Sequence, residues 1–191
     1  MWIGEEEMTG FQNLASWEPS FPGVSAWERA WRHIAIHPEL YAGGAWFVED
    51  DVAGSRVEFR SLVEETRRAP VDLAAVELRQ RGDDCHWPHW HHAAAHFASP
   101  SRSFNPLCFV SARLIFAALD FRERHGCFIF HEVLFASLAS QLGMSALDWQ
   151  SSPPTRALFG KFRYRPEVSE VARGICHPVK DQQIHRLICA P

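Results

Sequence analysis

The chain has 191 residues, enough for one domain with a full hydrophobic core. Its hydrophobic content is 47% and its charged content 22%, both ordinary for a globular protein, and its formal net charge of −4 gives no basic field for nucleic acid. Five cysteines without a CxxC pair argue against a disulfide framework or a zinc ribbon, so a reducing compartment is expected.

Along the chain, residues 1–23 show no clear periodicity and are punctuated by Pro19, Pro22 and Gly23, so they read as an irregular arm. The N-terminal Met1-Trp2-Ile3-Gly4-Glu5-Glu6-Glu7 lacks the basic and apolar regions of a signal peptide, and no apolar run is long enough to span a membrane. A soluble, cytoplasmic protein is the expectation. Ser25 and Glu28 form a capping box ahead of a helix whose Trp27, Ala30, Trp31, Ile34 and Ala35 share one face and which ends at Pro38. A strand follows at Ala45 to Val48. Ser55 and Glu58 cap a second helix running to about Arg68, before Pro70.

Val71 to Leu78 reads as a strand with an apolar run of Leu73-Ala74-Ala75-Val76. The stretch from about Gln80 to Pro106 reads as a long connection, of the kind that is usually functional or mobile. A short strand at Leu107 to Val110 precedes a helix from Ser111 to about Arg124, closed by Gly126. A further helix runs from near Phe130 to Leu142 and stops at Gly143. Ser151-Ser152-Pro153-Pro154 reads as a linker, Phe162 to Tyr164 as a strand, and 183–191 as a tail. Strands alternating with helices imply an α/β sheet.

Four constellations carry chemistry. In Trp46-Phe47-Val48-Glu49-Asp50-Asp51-Val52 a strand stops in three consecutive acids. Like charges at a strand end are tolerable in a solvated turn, or opposite a cation; a divalent ion holding a diphosphate needs such hard oxygen donors. The stretch Cys85-His86-Trp87-Pro88-His89-Trp90-His91-His92, with His96 beyond, offers zinc ligands but matches no standard spacing. It also suits a loop that stacks on a polar substrate, or an ordinary surface loop. His131-Glu132 opens a helix, where an acid is favoured by the helix dipole and where a desolvated carboxylate can serve as general base. In His177-Pro178-Val179-Lys180, His can bind a metal and Lys a phosphate. A Ser-His-Asp hydrolase is weakened by the absence of a GxSxG elbow. Eight Trp against two Tyr suggest core packing, or a stacking surface for sugars.

These pieces occur in a telling order. Ser25-Ala26-Trp27-Glu28-Arg29-Ala30, then Trp46 to Val52, resembles the core of GT-A type glycosyltransferases, with an acidic triplet like that of the lipopolysaccharide-type, family 25-like enzymes. Phe104-Asn105-Pro106 to Ser111-Ala112-Arg113, then Gly126 to Glu132, looks like their acceptor-side segment. Gly174-Ile175-Cys176-His177-Pro178-Val179-Lys180 is similar to their terminal His-Pro-Val-Lys segment. The resemblance covers about residues 24–182. It implies a Rossmann-like, three-layer α/β/α GT-A domain that transfers a sugar from a nucleotide-sugar donor to a carbohydrate or other acceptor hydroxyl. Asp51 and His177 would bind Mn²⁺ or Mg²⁺; Glu49 and Asp50 would face the nucleotide or the metal's water shell. Lys180 would contact the diphosphate, and Glu132 would be the base. GT-A folds begin with a strand and loop that hold the nucleotide base, whereas 45 residues precede Trp46 here, so a domain lacking its first βα unit is expected. Two other readings are an inactive remnant that binds carbohydrate or a partner, and a zinc protein built on His86 to His96.

Overall fold

The computed structural model describes residues 26–190 apart from 69 and 127. The expected arm at 1–23 and the Ser25–Glu28 capping box lie outside the described residues. Helix α1 is Ala26–Ile36, strand β1 Ala45–Val48 and helix α2 Arg56–Arg68. Strand β2 is Leu73–Gln80, α3 a single turn over His91–Ala94, and β3 Ser101–Val110. Then come α4 at Ala112–His125, α5 at His131–Gln141, β4 at Ala146–Asp148 and a turn of helix, α6, at Pro153–Arg156. Strands β5 at Phe159–Phe162 and β6 at Ile175–His177 lead to α7 at Gln182–Cys189.

Local chemistry sets the helix ends. The capping box before α2 closes in both directions: Ser55 N–H donates to Glu58 Oε2 at 2.7 Å, and Glu58 N–H to Ser55 Oγ at 3.3 Å. Ser111 Oγ accepts from Leu114 N–H at 3.2 Å, and Gly126, at φ +71°, ends α4 in the left-handed region.

The main sheet has the order β1-β3-β2-β4; β3 is antiparallel to both neighbours, and β2 and β4 are parallel. It is buried on both faces, which is why β2 reads as a continuous apolar run. Leu73, Ala75, Cys108 and Val110 point to the face covered by α4, α5 and Ile34 of α1. Ala74, Val76 and Leu107 point to the other face, against Leu62 of α2, Trp149, Phe162 and Ile175. The fold is thus mixed α/β, with a mixed central sheet between helices.

Two departures from the sequence reading concern strands. Strand β3 is ten residues long and central, not a short strand after a loop. Its Pro106 fits because the ladder is bulged there: Ala74 faces Phe109 while Val76 faces Phe104, so two steps along β2 match five along β3. Strand β4, at the sheet edge beyond β2, is not among the expected elements. The expected linker at 151–154 opens the turn α6, and the expected strand at Phe162 to Tyr164 lies earlier, at Phe159–Phe162.

The stretch expected as a tail holds α7. Asp181 caps it, its Oδ1 accepting from Gln183 and Ile184 N–H at 2.8 and 3.0 Å. Ile184 and Ile188 turn into a third cluster with Ala53, Val168, Cys176 and Val179. Residues 51–53 are stitched to this C-terminal segment. Ala53 and Cys176 exchange backbone bonds of 3.0 and 2.7 Å, and Val179 N–H donates to the Asp51 carbonyl at 2.8 Å. His185 Nε2–H donates to the Val52 carbonyl at 3.1 Å. Chain segments more than a hundred residues apart are thereby held edge to edge.

Candidate metal centre and adjoining cleft

Strand β1 ends at Val48, and the three acids follow at its carboxyl end. They do not point one way. Asp51 is 6% exposed, Glu49 half-buried and Asp50 exposed. The stitched strand β6 brings His177, 5% exposed, against the inner two. His177 Nε2 lies 3.4 Å from Asp51 Oδ1 and 3.7 Å from Glu49 Oε2. One ligand atom from each of the three falls within 4.8 Å of the others. Among the described residues no other three His, Cys, Asp or Glu side chains converge in this way.

The surroundings orient each group. His177 Nδ1–H donates to the Arg163 carbonyl at 2.9 Å, which turns Nε2 toward the carboxylates. Trp27 Nε1–H donates to Glu49 Oε1 at 3.3 Å, which leaves Oε2 on the His177 side. Trp27 is itself held between the rings of Phe47 and His131, at 4.9 and 3.7 Å. Burial alone would raise the Glu49 carboxyl; its bonds to His177 and Trp27 outweigh that and hold it below the ordinary glutamate value. Lys180 pairs with Asp51 Oδ2, and that bond raises the lysine's pKa.

The donor set fits a hard divalent cation. Asp51 Oδ1 is buried and has no hydrogen-bond partner, an arrangement that costs about 1–3 kcal/mol unless something positive satisfies it. Two carboxylate oxygens and an imidazole lone pair facing one another need a cation between them, either a proton or a metal. Two carboxylate oxygens and one imidazole nitrogen are donors that Mn²⁺, Mg²⁺ and Zn²⁺ all accept.

A cleft of about 420 Å³ opens beside this cluster, lined by Asp50, Asp51, Val179, Lys180, Gln182, His185 and Arg186. Asp50, Asp51 and Lys180 were expected at a donor site; Gln182, His185 and Arg186 were not. The signal for them was present in Asp181 as a helix cap followed by Ile184 and Ile188 at helical spacing.

Glu132 lies apart from the cleft lining. At the start of α5 it is 9% exposed, and one carboxylate oxygen accepts from Asn105 N–H at 3.4 Å across β3. Burial raises its pKa to about 8. The adjacent His131 is driven the other way by burial, to about 3, and is neutral.

The His-rich stretch folds into a 3-10 turn at Pro88–Trp90 and the short helix α3. Its aromatic rings are engaged. Trp87 stacks on Phe130 at 5.9 Å and has the Arg102 guanidinium over its ring at 5.4 Å; Trp90 is buried. His96 packs on Phe121, and His91 Nδ1–H donates to the Pro88 carbonyl. Trp46 and Trp149 stack in the core at 5.8 Å. These tryptophans are packing residues, and the described side chains of the stretch assemble no three-ligand group.

No known protein family, curated protein or solved structure matches the chain. No helix among the described residues is long and apolar enough to cross a membrane.

Proposed function

We propose that the protein is a metal-dependent glycosyltransferase of GT-A-like fold, moving a sugar from a nucleotide-sugar donor to an acceptor hydroxyl. The observation that carries this reading is the Glu49–Asp51–His177 cluster at the carboxyl end of a sheet strand, with the unpartnered Asp51 Oδ1 inside it and a cleft alongside. Ligands of open α/β sheets gather at that edge. The mixed sheet with helices on both faces is compatible with the resemblance in Trp46 to Val52 and Gly174 to Lys180.

Asp51, Glu49 and His177 would hold the ion, with His177 fixed by the Arg163 carbonyl and Glu49 by Trp27. A bound Mn²⁺ or Mg²⁺ would neutralise charge on the departing diphosphate. Lys180 bridges the ligand set and the cleft, placing an ammonium where phosphate oxygens would lie. Asp50, exposed at the rim, would face the nucleotide or the metal's water shell. Glu132, expected as the base for the acceptor hydroxyl, is buried outside the cleft lining and is mostly protonated at pH 7, so it takes no step in the proposed transfer.

Calorimetry with UDP and UDP-sugars, with and without Mn²⁺, tests the reading. Wild-type protein binds them only with the metal, and Asp51→Asn loses that binding. Unchanged Mn²⁺ and nucleotide affinity in Asp51→Asn would remove the site; no metal-dependent binding in the wild type would favour an inactive remnant.

A further inference from the structure

The cleft holds more positive charge than one metal-bridged phosphate uses. Lys180 is already paired with Asp51. Arg186 lines the same cleft from α7, and among the described residues no carboxylate pairs with it. Residues 182, 185 and 186 fall on one face of α7, because positions three and four apart on a helix are neighbours. The opposite face, through Ile184 and Ile188, is anchored in the third cluster. The His185 bond to the Val52 carbonyl and the Val179 bond to the Asp51 carbonyl fix that helix against the loop carrying the acids. Arg186 and Asp51 thus line one cleft from two segments stitched together, and Asp51 joins that cleft to Glu49 and His177.

Charge points to the occupant. Glu49, Asp50 and Asp51 against Lys180 and Arg186 leave the site about one charge negative, and a divalent ion reverses its sign. An anion with two separate charge centres then matches the layout: one at the metal and Lys180, the other at Arg186, whose planar fork is suited to phosphate.

Resting on the metal-centre reading, we propose that the cleft binds a diphosphate along its length, with Arg186 and Gln182 holding the phosphate remote from the metal. Arg186 thereby selects diphosphate over monophosphate ligands. The diphosphate can belong to a nucleotide or to a prenyl carrier.

Calorimetry on the full chain with Mn²⁺ compares inorganic pyrophosphate, UDP, UMP and geranyl diphosphate. Arg186→Ala weakens UDP and pyrophosphate about tenfold or more, changes UMP less than threefold and leaves Mn²⁺ affinity intact; Arg186→Lys recovers part of the loss. If Arg186→Ala weakens UDP and UMP alike, or neither, while Mn²⁺ still binds, the Arg186 assignment falls and the metal centre stands. If wild-type protein binds Mn²⁺ but no diphosphate, the cleft assignment falls. If Mn²⁺ does not bind at all, both readings fall together. Geranyl diphosphate binding in preference to UDP, with the same Arg186 dependence, keeps the diphosphate site and overturns the nucleotide donor.

Discussion

Two of this molecule's glutamate–histidine pairs are treated in opposite ways. In the Glu49–His177 pair, donors from Trp27 and the placement of the imidazole keep the carboxylate below its ordinary pKa. In the Glu132–His131 pair, burial dominates, and both groups are pushed to their neutral forms at pH 7. The residue types are the same; what differs is how many polar partners reach each group. A carboxylate supplied with donors and half-buried is ready for a cation. One with a single long backbone bond keeps its proton.

Paired substitutions break this comparison most sharply. His177→Ala removes a proposed ligand from the open pair and lowers Mn²⁺ affinity by about a hundredfold or more, at or above the upper end of the loss usual for residues that only orient ligands. His131→Ala, in the dry pair, costs roughly 2–4 kcal/mol of stability through the cavity left against Trp27. It leaves Mn²⁺ binding largely in place. Metal titration and denaturant unfolding of both variants check the pattern; interchanged effects would erase the distinction.

Glu132→Gln sharpens the dry half. The folded pKa of about 8 lies above the unfolded glutamate value, so Glu132's penalty is absent in acid and grows as pH rises toward 8. His131 has the reverse sign: its folded value of about 3 lies below the unfolded one, so stability is lost as pH falls below about 6.5. Between about pH 6.5 and 8 only the Glu132 slope remains, at up to roughly 1.4 kcal/mol per pH unit. Thermal unfolding across that window shows wild-type stability declining and Glu132→Gln nearly flat. Parallel curves would show that Glu132 is not held protonated.

The smallest of these effects belongs to Trp27→Phe. It keeps the stack between Phe47 and His131 but removes the indole N–H from Glu49. Mn²⁺ affinity falls about tenfold, as for other groups that orient a metal ligand. Unchanged affinity would make the Trp27 bond incidental.

Much of this was legible in the chain where local chemistry decides the outcome. The Ser55–Glu58 box, the Ser111 cap, Gly126 and the Leu73-to-Val76 run each carry their own signal, and α2, α4 and β2 follow from them. The convergence of Glu49, Asp51 and His177 came from a resemblance, since no spacing rule joins positions more than 120 residues apart. Strand β3 was hidden by Pro106, which needs a bulge visible only in the pairing with β2. Helix α7 was passed over because the chain's end invites reading a tail, although Asp181 caps it. Whether a Trp face is free or covered depends on long-range partners, such as Arg102 over Trp87. Arg186 became visible as a cleft residue only once α7 was placed.

Pulsed electron paramagnetic resonance of the Mn²⁺-loaded protein tests the central claim most directly. The Glu49–Asp51–His177 centre predicts one manganese per chain, coupled to a single imidazole nitrogen that disappears in His177→Gln. A spectrum of fully hydrated Mn²⁺, the same in wild type and variant, would contradict it.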